Sequence, residues 1–334
     1  MCDEGAFVEV PGRATCAPDL PGLALRPATC SVSAMLTILT HDILPVFSML
    51  ALGFVLGRFG KVTRAEAAAV NRVAFLVLQP ALIFPLIQGL DFSAFRAEAI
   101  GLYALCQAAV FGVTLLIATR ILGRELPEAW LLAMATVFVN TLLYIWPISF
   151  LIYGEAAALP ITGIVAWDSS ITFAFFIVTA DLISNRKATP LQSLARVAQN
   201  PVLIAIALGL LTHVLPIPVP EPLLTAMHFA GGGAAPLTLF ALGVILSGHS
   251  LAPSPTIATV AAIKLLAFPA LVWAALHLGA RPPEWNTLLV LAAAGPSGAM
   301  AFALAMLNGV RTDQIAPVVI WTSILSLVSL AWLA

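Results

Sequence analysis

Residues 286–307 read NTLLVLAAAGPSGAMAFALAML, an uncharged run long enough to cross a bilayer with Gly295-Pro296-Ser297-Gly298 at its middle. A spanning helix needs about 20 mostly apolar residues. Proline removes a backbone donor and glycine weakens a helix, so the run predicts a helix broken near mid-membrane. Such a break is tolerated only where protein or a water-filled cavity satisfies the freed backbone groups.

The rest of the chain has the same character. Of its 334 residues 61% are apolar and 9% charged, with a mean hydropathy of +1.03. A soluble domain carries about 25% charged residues, which predicts an all-α membrane protein in a lipid bilayer with little soluble mass. Fifteen basic residues against sixteen acidic ones give no basis for nucleic-acid binding. Cys2, Cys16 and Cys30 lie in a proline-containing N-terminal stretch and Cys106 stands alone in an apolar run, so neither redox chemistry nor a metal site is expected. Residues 1–34 read as a disordered tail, with Met35 as an alternative start.

Apolar runs between polar or Pro/Gly-rich breaks predict ten spans, near 41–59, 70–90, 97–119, 129–153, 157–183, 198–215, 222–247, 256–278, 286–307 and 312–333. Arg58, Lys61, Arg64, Arg72, Arg120, Arg124, Arg186, Lys187, Arg196 and Arg311 fall in one set of loops, against Arg96 and Arg281 in the other. The positive-inside rule then places both termini outside, and the lack of organelle signals and long loops predicts a bacterial inner membrane.

An internal repeat is visible within the chain. Pro45-Val46 with Ala51-Leu52-Gly53 recurs as Pro201-Val202 with Ala207-Leu208-Gly209, and Pro80 to Phe84 recurs as Pro236 to Phe240, both at an offset of 156 residues. Trp130 and Gly154 bracket span 4 as Trp285 and Gly309 bracket span 9, at an offset of 155. Residues 35–190 and 191–334 are thus expected to be two five-helix repeats. Because five is odd, the second enters the membrane inverted, a ground plan of alternating-access carriers.

In such carriers ligands bind where broken helices meet near the midplane. Span 4 carries Asn140, Thr141 and Pro147, and span 9 carries Gly295, Pro296, Ser297 and Gly298; these are the candidate substrate-binding residues. Asn140 brings an amide donor and acceptor, and a half-helix starting near Ser297 aims its positive dipole end at the centre, which suits an anion. Other spans also carry prolines, which membrane helices commonly tolerate.

Asp168 lies near the middle of span 5, thirteen residues from both Glu155 and Asp181. It reads either as a proton-coupling acid or as a hydrogen-bonded structural carboxyl, since a charge there costs about 2.5–3.5 kcal/mol on insertion scales. Lys264 in span 8 reads either as a snorkelling side chain or as an inward-facing partner for an anion or for Asp168. Gln79, Gln88 and Gln107 read as hydrogen-bonding glue between helices, Asp181 as interfacial, and the five histidines as helix-end residues. No hydrolase, zinc-protease or nucleotide-binding motif appears, so neither an enzyme nor a cofactor is expected.

LPVFSMLALGFVLGR at 44–58, NRVAFLVLQPALIF at 71–84, Asn140-Thr141 with Pro147, Asn200-Pro201, APLTLFALGVIL at 235–246 and AAAGPSGAMAFALA at 292–305 together resemble the auxin efflux carrier family. That family holds plant and bacterial organic-anion transporters, including bacterial malonate carriers. The resemblance covers roughly residues 36–333. It implies ten helices in two inverted repeats, spans 4 and 9 crossing at broken centres, a small organic anion as substrate, and commonly a homodimer. Family members usually carry glycines where this chain has Leu142 and Ile145. The alternatives are a sodium-coupled symporter of the bile-acid type and a membrane sensor that binds a carboxylate without moving it.

Overall fold

The computed structural model describes residues 32–184, 189–215, 217–278 and 283–334. The readings of Cys2, Cys16, Cys30, Arg186, Lys187 and Arg281 lie outside them. Among the described residues every regular element is helical, apart from one isolated two-residue bridge. Helical backbone begins at Val32, just inside the stretch expected to be a disordered tail.

In chain order the helices are α1 (Met35–Arg58), α2 (Arg64–Gln88), α3 (Ala97–Arg120), α4 (Leu126–Val137), α5 (Thr141–Tyr153), α6 (Ala158–Ser184) and α7 (Pro190–Ala198). They continue with α8 (Pro201–Val214), α9 (Glu221–Leu246), α10 (Pro255–His277), α11 (Pro283–Ala293), α12 (Met300–Leu307) and α13 (Ile315–Leu333). Seven of them, α1, α2, α3, α6, α9, α10 and α13, are long and apolar enough to cross a membrane, and α7 with α8, bent by 63°, raises the number to eight. The pairs α4/α5 and α11/α12 are shorter, separated by breaks at residues 138–140 and 294–299.

The helices are wrapped by apolar surface and hold their polar groups inside. On α3, Leu105, Val113 and Leu116 are exposed while Tyr103, Gln107 and Thr114 are buried, so one helix carries a lipid face and a polar interior face. Thr63 caps α2 in a reciprocal capping box with Glu66, and Asn200 caps α8 through its side-chain oxygen on the N–H groups of Val202 and Leu203.

Four prolines within the spans, Pro45, Pro80, Pro147 and Pro269, are absorbed by widened turns, whereas Pro85 sits in regular helix. Leu44, Gln79, Trp146 and Phe268, each immediately before a proline, donate to the carbonyl five residues back rather than four. The extra residue in the turn relieves the clash between the pyrrolidine ring and the preceding turn. Pro147 therefore sits inside continuous α5, and the break in this region falls earlier, at residues 138–140. One widened turn, Asp168–Thr172 in α6, has no proline after it.

Close backbone packing occurs in two matching places. A Cβ on Gly53 of α1 would lie 2.0 Å from the Phe240 carbonyl oxygen of α9, and one on Gly209 of α8 would lie 3.0 Å from the Phe84 carbonyl oxygen of α2. Gly53 and Gly209, like Phe84 and Phe240, are 156 residues apart, so each half sets a glycine against the other's proline helix. Small residues at helix contacts let backbones approach, which drives association where no hydrophobic difference from lipid exists.

Contacts at the two ends give the helices their direction. At one end Trp130 of α4 donates to Thr179 of α6, Arg124 donates to Thr256 of α10, and His249 packs edge-on against Phe302 of α12. At the other end His213 of α8 bonds the Gln88 carbonyl, Phe95 meets Trp285 of α11, and Tyr153 donates to the Ala334 carbonyl. His228 lies in the last turn of Glu221–Gly231, the first segment of α9.

Candidate functional site

The two breaks meet each other. Val139 and Ser297 form an antiparallel bridge, in which the Asn140 N–H donates to the Pro296 carbonyl at 3.1 Å and the Gly298 N–H to the Phe138 carbonyl at 2.7 Å. Two interrupted helices thus satisfy part of each other's freed backbone with a minimal piece of sheet, which keeps irregular backbone inside protein as the bilayer demands. Glycine makes room for packed side chains on one side of this crossing: a Cβ on Gly298 would lie 2.7 Å from the Phe138 ring, and one on Gly295 would lie 2.5 Å from the Ile145 side chain.

Polar side chains from neighbouring helices close the remaining groups in pairs. Gln107 of α3 donates to the Val137 carbonyl at the end of α4 (3.1 Å), and Lys264 of α10 donates to the Ala293 carbonyl at the end of α11 (2.6 Å). The two donors are 157 residues apart and the two acceptors 156. At the start of α5 the Thr141 hydroxyl donates to the Asp168 carboxylate of α6 at 3.4 Å, and within the second break the Ser297 N–H donates to the Thr322 hydroxyl of α13 at 3.2 Å. Ser297 also donates its own hydroxyl to the Ala135 carbonyl at 2.7 Å, tying the second break to α4.

Asp168 is the most connected of these groups. Besides Thr141 it accepts from Gln107 at 2.7 Å, while Gln107 itself accepts from the Trp167 indole at 2.8 Å. Asp168 opens the widened turn that no proline explains, and a turn of this kind inside a helix often marks a functional position. Lys264 is buried with it, against the Phe268 ring, 5.0 Å from the ring centre. Asp168 and Lys264 make no direct ion pair, because each is committed to a different half-helix. Tyr103, 5.5 Å from Phe268 between ring centres, is buried with a hydroxyl that bonds to nothing among the described residues.

The model of a family described as membrane transport protein matches residues 38–189 and 188–333. The chain belongs to that family, the auxin efflux carriers. Among curated proteins, one named "Putative malonate transporter" from Rhizobium meliloti (strain 1021) is 25% identical over 88% of this chain and 94% of its own length. An "Uncharacterized transporter" from Methanothermobacter thermautotrophicus (strain ATCC 29096 / DSM 1053 / JCM 10044 / NBRC 100330 / Delta H) is 25% identical over 87% of this chain and 96% of its own length.

Within this family member, Asn140, Thr141, Gly295, Pro296, Ser297 and Gly298 are gathered at one crossing, while Pro147 lies further along α5. The Asn140 side chain makes no capping bond and stays partly exposed. The Ile145 side chain fills the space over Gly295. Lys264 does not snorkel: its side chain is fully buried and turned to α11. The sequence marks Gln107 as glue between helices but not as a cap; the signal for the cap is its 157-residue spacing to Lys264, close to the 156-residue offset of the sequence matches. Asp181 is also buried, held by Ser193 at 2.9 Å and Arg196 at 2.7 Å, which pins α7 to α6.

Proposed function

We propose that this protein is a secondary carrier of small organic anions, with carboxylates such as malonate as the substrate class. It works by alternating access at the crossing of α4/α5 with α11/α12. The observation that carries the reading is the reciprocal backbone pairing of the two breaks, through Asn140 and Pro296 and through Gly298 and Phe138. Broken helices that share one midplane site are the arrangement by which carriers expose backbone groups and helix ends to a ligand.

In this reading α4/α5 and α11/α12 are spans 4 and 9 of ten, and residues 35–190 and 191–334 are inverted five-helix repeats. The paired contacts near 156-residue spacing support it: Gly53 with Phe240 against Gly209 with Phe84, and Gln107 with Val137 against Lys264 with Ala293. The basic loops face the cytoplasm and both termini face outward. The membrane is a bacterial inner membrane, and the carrier works as a homodimer without a cofactor or catalytic chemistry.

The Asn140 amide, the Thr141 hydroxyl and the groups of 295–298 contact the substrate, and Lys264 holds the end of α11 in place behind them. Moving one charge against about 100 mV costs about 2.3 kcal/mol, so import of an anion into an inside-negative cell needs coupling. Asp168 is the group placed to carry a coupling proton, since taking it up would weaken its hold on Gln107 and Thr141 and so act on both sides of the first break.

Purified protein in liposomes tests this through solid-supported-membrane currents and radiolabelled counterflow on addition of malonate and other small carboxylates. A signal for one acid that is lost in Asn140→Ala supports the reading. Saturable binding with neither current nor counterflow would overturn it in favour of a sensor, and strict dependence on sodium would replace proton coupling with sodium symport.

A further inference from the structure

At the basic end of the molecule, away from the crossing, the end of α1, the start of α2 and the end of α9 enclose a cleft of about 240 Å³. It is lined by Arg58, Thr63, Arg64, Ser247 and Gly248, and a second lobe past Arg58 and Gly248 reaches His249. Arg58 and Arg64 form no ion pair among the described residues, and neither does Lys61 on the intervening loop. The Glu66 carboxylate on α2 is engaged by Thr63, one of its oxygens accepting both the N–H and the hydroxyl at 2.8 Å, and Asp313, which faces His249, is paired with Arg311.

Arg58 and Arg64 are exposed at the cleft, and Arg64 lies against its wall. A Cβ on Gly248 would fall 1.5 Å from Nη2 of Arg64, so the guanidinium lies directly against the Gly248 backbone. A Cβ on Gly57 would lie 2.5 Å from the Ser247 hydroxyl oxygen, so α1 and α9 close the floor. Arg64 and Ala65, as the first residues of α2, have N–H groups without intrahelical acceptors, and the helix start carries partial positive charge.

Unpaired guanidinium groups converging on a cleft of this size match the planar, bidentate demands of a phosphate group. We propose that the cleft between Arg58, Arg64 and Gly248 is a phosphate-binding site, accepting either the headgroup of an anionic phospholipid or a soluble phosphate. Both sources are chemically admissible at a membrane interface, where basic pockets between helices take up headgroups. His249 joins the site to the rest of the fold, because its ring also packs on Phe302 of α12, next to the second break. The proposal rests on this cleft alone and stands whatever the carrier's substrate is.

The test is thermal unfolding of the purified full chain with three partners: millimolar inorganic phosphate, chloride at matched ionic strength, and vesicles of phosphatidylcholine with or without phosphatidylglycerol. Wild type is expected to gain about 2 °C or more with phosphate or with phosphatidylglycerol, and nothing with chloride. The double variant Arg58→Gln/Arg64→Gln should lose that gain, while Arg72→Gln, a cation on α2 outside the cleft, should keep it. A gain with phosphate alone assigns a soluble ligand, and one with phosphatidylglycerol alone assigns a lipid. No gain in wild type with either partner, or an undiminished gain in the double variant, would overturn the site.

Discussion

Lys264 donates to the Ala293 carbonyl at 2.6 Å, and this bond closes the last turn of α11 from within the protein. A helix end at this depth has orphan carbonyls and no water to satisfy them, so a buried donor replaces solvent. Gln107 does the same for Val137 at the end of α4. The two side chains differ in chemistry but make the same kind of bond, each to the last carbonyl of a half-helix at the crossing, which points to a positioning role for both.

Lys264→Met keeps the bulk of the side chain and removes the donor. The orphaned Ala293 carbonyl costs about 1–3 kcal/mol, partly offset because a buried amine is also removed. The unfolding midpoint should therefore move little while anion transport falls by about tenfold or more, a change of about 1.4 kcal/mol in the working geometry. Gln107→Leu should cost more stability, about 1–3 kcal/mol without the offset, since Val137, Trp167 and Asp168 all lose a partner. Thermal unfolding and counterflow on the same preparations check both, and a Lys264→Met carrier with normal counterflow would refute the positioning role.

Backbone contact between α1 and α9 gives a matched pair of glycine substitutions. Gly53→Ala puts a methyl 2.0 Å from the Phe240 carbonyl oxygen, so the helices must separate, at a cost of about 1–3 kcal/mol or more. Gly112→Ala on α3 meets nothing within 4 Å and should be neutral or stabilising by about 0.5–1 kcal/mol through helix propensity alone. Unfolding midpoints in one detergent decide it. Equal behaviour of the two variants would contradict the close crossing.

The parts of the fold that were legible in the sequence are those written in covalent terms. Pro296 and its flanking glycines announced a break, and the 156-residue offset brought Gly53 and Gly209 into equivalent positions before any contact was known. Pro147 misled in detail because a widened turn absorbs its ring, which moves the break to residues 138–140. The capping roles of Gln107 and Lys264 were hidden, because they depend on which carbonyl lies opposite a side chain. Helical periodicity gives the face of a residue but not its partner. The inward direction of Lys264 was open for the same reason, since a long stem reaches either way.

His249 gives a pH-dependent signature outside the spans. Burial is the main cause holding its imidazole below the ordinary histidine value, with Arg64 adding to it, while backbone carbonyls of Leu246 and Ile245 and the Asp313 carboxylate oppose the shift. The folded state therefore binds fewer protons than the unfolded chain just below the ordinary value. Stability is full above the unfolded value and falls as pH drops through it toward the lowered folded value. Unfolding midpoints between about pH 7 and pH 5 should drop more steeply in wild type than in His249→Gln. Parallel curves for the two proteins would remove His249 as the cause.

Asp168 separates coupling from binding. The substitution Asp168→Asn keeps the shape of the side chain and an oxygen that accepts from Gln107, but the amide cannot take up a proton, and its nitrogen would meet the Thr141 hydroxyl in place of a carboxylate oxygen. If this carboxyl carries the coupling proton, Asp168→Asn should retain counterflow of labelled anion, which needs no net proton movement. It should lose uptake driven by an imposed pH gradient. A purely structural carboxyl predicts something different, namely that counterflow and gradient-driven uptake fall together with the unfolding midpoint. The widened turn at Asp168–Thr172, present without a proline to require it, favours the first outcome, because a helix keeps an irregular turn at such a place where the turn serves the site. Measuring both fluxes on one set of proteoliposomes decides between them, and unchanged pH-gradient uptake in Asp168→Asn would end the coupling role.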